Sequence, residues 1–321
     1  MTERLTIACG AYDRTWPLIA GRIAPEGYEL DWTILPPEQA FLRGQVAGGF
    51  DISELSFSTY LVQASRNASR YRAIPVFPSR MFRHSAIYVR ANAGIHAPED
   101  LSGKTIGVPE FQLSAIVWAR GILSDEHGVA VEDVQWVIAD IDQPHRVEKV
   151  PVELPARISA RHLDPNDTLW AAMQRGEVDA IIAPRAPQAF VEGDPRIVRL
   201  FPNAREAERA YYERTGIFPI MHLIGIREDV AIAHPDLPAA LLQAFDAARG
   251  HARQELHQVA YSYAMLPWLP DLVSEADRTM GGDYWSYGIE KNRKALGTMC
   301  RYSFEQGLSE RLMTCEEIFI Y

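Results

Sequence analysis

Short apolar runs of strand length alternate along the chain with longer runs of helical period. "LTIAC", "FDISELS", "SAIYVR", "KTIGVPE", "VQWVIAD", "DAIIAP" and "HLIGIR" read as strands, while "EQAFLRGQVA", "LSAIVWARGILSDEHG" and "TLWAAMQRG" read as helices. Strands interleaved with helices predict an α/β fold rather than a sandwich or a helical bundle. Residues 142–167, "DQPHRVEKVPVELPARISARHLDPND", interrupt the alternation with prolines and predict extended connections over a surface or cleft.

Two patterns recur. In "VAGGFDISELS" and "MQRGEVDAIIAP" a helix ends at glycine (Gly48 and Gly49, then Gly176), an aspartate follows (Asp51, Asp179), and a short apolar strand comes next. Such a strand delivers its C-terminal end, Ser56 in one case and Pro184-Arg185 in the other, to the ligand crevice of an α/β sheet. "HSAIYVR" (His84 to Arg90) and "HLIGIR" (His222 to Arg227) are both apolar strands led by histidine and closed by arginine. Read as crossover hinge strands, they predict two lobes around a cleft. Residues 1–90 and 223–321 form one lobe and 91–222 the other, with both histidines near the cleft floor.

At 321 residues the chain is long enough for two such lobes. Its 42 acidic and 32 basic residues give a net charge of −10, which argues against a nucleic-acid or anionic-membrane surface and makes any anion site a local feature. Three cysteines without a CxxC pairing suggest neither a disulfide frame nor a thiolate zinc site. The first residues enter a strand at once, without the regions of an export signal, and no apolar run approaches the ~20 residues that span a bilayer, so a cytoplasmic location is expected.

"ACGAYDRTWPL", "DISELSFSTYL", "FPSRMFRHSAIYV", "GKTIGVPEFQLSAIVWARGIL", "RVEKVPVELP", "TGIFPIMHLIGIR" and "DYWSYGIEKNRKAL" together resemble the 4,5-dihydroxyphthalate decarboxylase family, from about Leu5 to the C-terminus. The resemblance implies a two-lobed fold like that of the type II periplasmic binding proteins. It also implies cofactor-independent decarboxylation of a hydroxylated, phthalate-type aromatic acid, with conversion of 4,5-dihydroxyphthalate to protocatechuate as the type reaction. The expected partner is therefore a small aromatic carboxylate. Trp16 departs from the residue expected in "YDRTWPL", where a small or basic side chain is usual.

Loss of CO2 from such a ring requires a base for the phenol, an acid for the ring carbon and a cationic clamp for the carboxylate that stays. Arg80, Arg83 and Arg185 are clamp candidates, because a guanidinium fork matches a carboxylate. His84 and His222 are the acid/base candidates, with Glu110, ahead of a helix, as a third proton carrier. Tyr12 and Arg14, after the first strand, and Ser56, at the end of a later one, take ligand-facing positions. No Gly-x-Ser-x-Gly elbow points to a hydrolase. No organic cofactor is expected. A divalent metal on His84, His222 and Glu110 or Asp13 is the lesser alternative, since HxH and HExxH spacings are absent. "DYWSYGIEKNRKAL" suits helix packing or an interface in a homo-oligomer. The competing reading is a solute-binding protein for a small anion, cytoplasmic or trimmed of its export signal, that does no chemistry.

Overall fold

A computed structural model of the chain describes residues 3–145 and 148–320, so Arg146 and Val147 at the start of "RVEKVPVELP" lie outside the described residues. The strands run in chain order β1 (Glu3–Cys9), β2 (Tyr28–Ile34), β3 (Ile52–Ser56), β4 (Tyr71–Arg80), β5 (Ile87–Arg90), β6 (Thr105–Val108), β7 (Gln135–Ile138), β8 (Ala160–His162), β9 (Ala180–Ile182), β10 (Ile197–Arg199) and β11 (Ile220–Arg227). They make two separate sheets, ordered β2-β1-β3-β11-β4 and β10-β5-β9-β6-β7-β8. Helices between them complete the mixed α/β architecture that the alternation predicts. The chain divides into two compact units, Met1–Met81 with Tyr212–Thr298 and Met313–Tyr321, and Phe82–Tyr211 with Met299–Leu312.

The expected crossover strands are corrected by this division. β5 lies between β9 and β10 in the second sheet, and β11 lies between β3 and β4 in the first. Each is an interior strand of one unit, and that accounts for its two-sided apolar sequence. The chain instead passes between units after Met81, Tyr211, Thr298 and Leu312.

Both units share one wiring, and it explains the recurring patterns. β1 is parallel to β2 and β3, with β11 antiparallel beside β3; β6 is parallel to β7 and β9, with β5 antiparallel beside β9. Gly48 and Gly176 take φ of 75° and 78°, left-handed values that end the preceding helix without a Cβ clash. Asp51 then accepts the Thr6 N–H of the neighbouring strand at 2.8 Å and pairs with Arg227 at 3.1 Å. Asp179 accepts the Thr105 N–H at 3.1 Å and pairs with Arg90 at 2.9 Å. The arginine that closes each apolar strand is thus the partner of the aspartate that opens its neighbour.

Each sheet buries its own core. Ile7, Ile52, Leu55, Ile74 and Ile224 are fully buried in the first unit, and Val137, Leu169, Met173 and Ile181 in the second. Full burial stabilises each such side chain by roughly 1.5–3 kcal/mol. β4 carries Pro75 and Pro78, which an edge strand tolerates because one side of its ladder needs no donor. Among the described residues no helix is long and apolar enough to cross a membrane.

Candidate active site

In the first unit, the parallel strands β1 and β3 and the antiparallel β11 bring Cys9, Glu54 and His222 to the end of the sheet where α/β folds bind ligands. Glu54 is fully buried in the middle of β3. Its Oε1 accepts hydrogen bonds from His222 Nδ1 at 2.6 Å and the Tyr12 hydroxyl at 2.8 Å. Its Oε2 accepts the Gly10 N–H at 2.9 Å and the Cys9 thiol at 3.4 Å. Burial by itself would raise the Glu54 carboxyl, but the His222 hydrogen bond and charge, with the Gly10 and Tyr12 donors, outweigh it and hold the group below its ordinary value. The carboxylate is an anion saturated with donors. Because Glu54 takes the Nδ1 side of the His222 ring, Nε2 is the nitrogen left to exchange a proton elsewhere.

Local irregularities set this geometry. The pairing of β11 with β4 shifts register on both sides of His222, and such a break re-aims a side chain. The Phe41 ring meets the imidazole edge-on at 4.9 Å, from a π-helix spanning Phe41–Val46. From the same turn Gln45 grips the end of β3, accepting the Ser56 N–H at 2.9 Å and donating to the Ser56 carbonyl at 3.3 Å. Gly44 lets that turn lie on the strand, since a Cβ there would sit 2.1 Å from Ser53 Oγ. Gly10 admits the Tyr12 ring, which a Cβ would meet at 2.6 Å, and so allows the phenol to fold back onto Glu54.

Of the residues nominated from sequence, the structure gathers Tyr12 and His222 on Glu54, with Ser56 buried opposite His222 in the β3–β11 register. Burial first, and the Glu54 charge second, push the Tyr12 phenol up, so it remains a donor. Arg14 is locked in place. Nε donates to the Pro78 carbonyl at 2.7 Å, Nη1 to Asp13 at 2.8 Å, and the guanidinium stacks between Tyr12 and Trp285 at 4.3 and 4.2 Å. Arg80 is buried, and its terminal nitrogens donate to the carbonyls of Phe218 at 3.1 Å and Ser286 at 2.8 Å and to Asn292 Oδ1. Burial pulls that guanidinium down to about 9. The expectation of a substrate clamp at Arg80 gives way to a structural one, because its fork is spent joining three segments of its own unit.

The other candidates belong to the second unit. The His84 ring is buried against Phe201 and Tyr211, with centroids at 5.2 and 5.3 Å. Arg83 is buried too, and burial pulls it down to about 10 against the opposing charge of Glu208. Glu110 is sealed in an ion pair with the equally buried Lys149 and accepts from Gln112 Nε2 at 3.2 Å. Arg185 is mostly exposed, with a long 3.4 Å contact to Asp140. Among the described residues no three or more His, Cys, Asp or Glu side chains are grouped to hold a metal ion.

Sequence reasoning missed Glu54, Cys9, Phe41 and Gln45. Glu54 had a signal, since a carboxylate on a strand between Ile52 and Leu55, with no other charge on it, has to be either neutral or heavily bonded once that strand is buried.

The wiring of the units is that of the type II periplasmic-binding-protein-like fold. The periplasmic aliphatic sulphonate binding protein SsuA of Escherichia coli superposes with a TM-score of 0.56 at 14% identity, covering 99% of this chain and 98% of that one. The alkanesulfonate-binding protein SsuA of Xanthomonas axonopodis pv. citri does so with a TM-score of 0.53 at 14% identity, covering 100% and 99%. In sequence, a 4,5-dihydroxyphthalate decarboxylase of Comamonas testosteroni is 41% identical over 316 residues, 98% of this chain and 96% of that protein. Another from Pseudomonas putida is 40% identical over 208 residues, 65% of this chain and 81% of that protein. No family model matches. The chain belongs to the 4,5-dihydroxyphthalate decarboxylase family.

Proposed function

We propose that the protein decarboxylates 4,5-dihydroxyphthalate to protocatechuate, with His222 as the proton carrier and Glu54 and Tyr12 as the groups that orient it. The activity rests on one observation, the 41% identity to a decarboxylase of that name across 98% of the chain. For the residues, the support is a buried carboxylate with four donors, one of them an imidazole at 2.6 Å.

In this reading His222 Nε2 accepts the proton of the ring hydroxyl para to the departing carboxylate. The phenolate oxygen pushes an electron pair onto the carbon that bears the carboxylate, and that carbon takes a proton. The C–C bond then breaks, CO2 leaves, the bonding pair restores the aromatic ring, and the phenolate oxygen takes its proton back from His222. The net change consumes one proton, ArCO2− + H+ giving ArH + CO2. The route asks for no organic cofactor, since the phenolate supplies the electrons. Glu54 opposes the positive charge that the imidazole acquires, in a site where burial strengthens such opposition.

The test is incubation of the purified protein with 4,5-dihydroxyphthalate, following CO2 and protocatechuate. Equimolar release of both is expected. Tight binding of the diacid with no CO2 under any condition would overturn the reading in favour of a solute-binding role.

A further inference from the structure

Beside the Glu54 cluster the first unit holds a cavity of about 590 Å³, within the range of small-molecule sites. Tyr12 belongs to both, lining the cavity while its hydroxyl sits on Glu54. The wall carries Trp16, Arg22, His251 and Tyr263 around Tyr12, a mixture of ring faces and cationic or titratable groups.

The acids in the wall are already engaged. Asp13 accepts both the backbone N–H and Nη1 of Arg14 at 2.8 Å, and Glu255 accepts the Tyr261 hydroxyl at 2.7 Å. Arg22 differs. Its backbone N–H caps a turn on the Pro17 carbonyl, but its guanidinium makes no hydrogen bond or ion pair among the described residues. Arg14 and Arg80, the guanidinium groups nominated for this unit from sequence, are consumed by Pro78, Asp13, Phe218, Ser286 and Asn292. A free planar cation and an exposed indole lining one cavity supply the pairing that receives an aromatic carboxylate, through two parallel N–H···O bonds and a ring face.

The geometry points to Arg22 as the residue that holds the carboxylate retained in the product, with the substrate ring lying along Trp16. This inference rests on the decarboxylase reading for its substrate, and names the contact that distinguishes a phthalate from a simple benzoate. Trp16, the departure from the family pattern, becomes a specificity residue at the mouth of the site.

A retained carboxylate carries the same charge before and during reaction, so its clamp contributes uniform binding and its loss falls on KM rather than kcat. Unhydroxylated phthalate, which has no phenol to start the electron push, is the probe for titration calorimetry. Arg22→Gln is expected to raise the phthalate Kd, and the KM for 4,5-dihydroxyphthalate, about tenfold or more, with Arg22→Lys in between. Trp16→Ala is expected to weaken phthalate binding as well. Both positions are on the surface, so the variants fold, and circular dichroism checks that they do. If Arg22→Gln leaves both the phthalate Kd and KM unchanged in a protein that releases CO2, the inference fails and the decarboxylase reading stands. If phthalate binding is lost in Arg22→Gln but the wild type releases no CO2, the carboxylate site stands and the decarboxylase reading fails.

Discussion

Glu54→Gln changes one atom of the buried cluster and separates its electrostatics from its shape. The carboxylate has four donors pointed at it, so the amide keeps the volume but turns an NH2 toward groups that also donate. The contact to His222 at 2.6 Å is charge-assisted when the imidazole holds a proton, a bond worth about 1.5–3 kcal/mol. If that bond is at full strength only as His222 takes the phenolic proton, its loss falls on the barrier. At about 1.36 kcal/mol per decade, kcat drops about 10- to 150-fold. Stability responds differently, because removing a buried anion also removes its desolvation cost of several kcal/mol, and the two changes oppose. The melting midpoint at neutral pH is therefore expected to move by only a few degrees. Acid separates the proteins further. The Glu54 carboxyl is held below its ordinary value in the folded state, so its stabilisation is full above the unfolded carboxyl range of about 4.3 and is lost as pH falls through the folded value. Wild type is expected to lose stability more steeply than Glu54→Gln below about pH 4.3. Turnover by CO2 release and melting by circular dichroism across pH measure both effects. An unchanged kcat in a folded Glu54→Gln protein would refute the role given to the pair, and parallel acid curves would refute its electrostatics.

Arg80→Ala removes a donor from the Phe218 and Ser286 carbonyls and from the Asn292 amide oxygen; Ser286 still accepts from Asn292 Nδ2 at 3.1 Å, so the cost of about 1–3 kcal/mol falls chiefly on the buried Asn292 oxygen. Urea titration is expected to show a loss of about 1–3 kcal/mol, whereas a substrate clamp would show raised KM at unchanged stability. The native protein is expected to keep its activity through iodoacetamide treatment at neutral pH, because Cys9, Cys300 and Cys315 are buried. Burial, then the Glu54 charge, holds the Cys9 thiol well up, and burial also raises Cys315. Rapid alkylation with loss of turnover in folded protein would count against this.

The strands were readable wherever an apolar run was short and bounded by glycine or charge, as in β1, β3, β6, β9 and β11. β4 was not. Pro75 and Pro78 demote a run in sequence, and the strands read from the apolar pattern do not include Tyr71–Arg80. That it lies at a sheet edge is a tertiary fact, and the edge is what makes the prolines harmless. The unit boundaries were misplaced for a related reason. An apolar strand looks the same whether it crosses between units or lies inside one sheet, and only its ladder partners tell the two apart.

The histidines show how a true repeat can mislead by one residue. Aligning the strands on Arg90 and Arg227, which make the same ion pair in both units, sets His222 five residues before the arginine and His84 six. His84 moreover lies ahead of β5, in a 3-10 turn over His84–Ala86, whereas His222 lies within β11, so the two side chains are not set by the same strand geometry. The counterpart of His222 is thus Ser85, and His84 points into an aromatic core against Phe201 and Tyr211. The partner strand differs as well. Glu54 follows Asp51 by three residues, and three residues after Asp179 stands Ile182, fully buried. Where the first unit has a carboxylate able to hold an imidazole, the second has a branched alkyl group that can hold none. The repeat explains why two units fold alike. The proposed chemistry sits where the repeat is broken, in a charge that β3 buries and four donors satisfy.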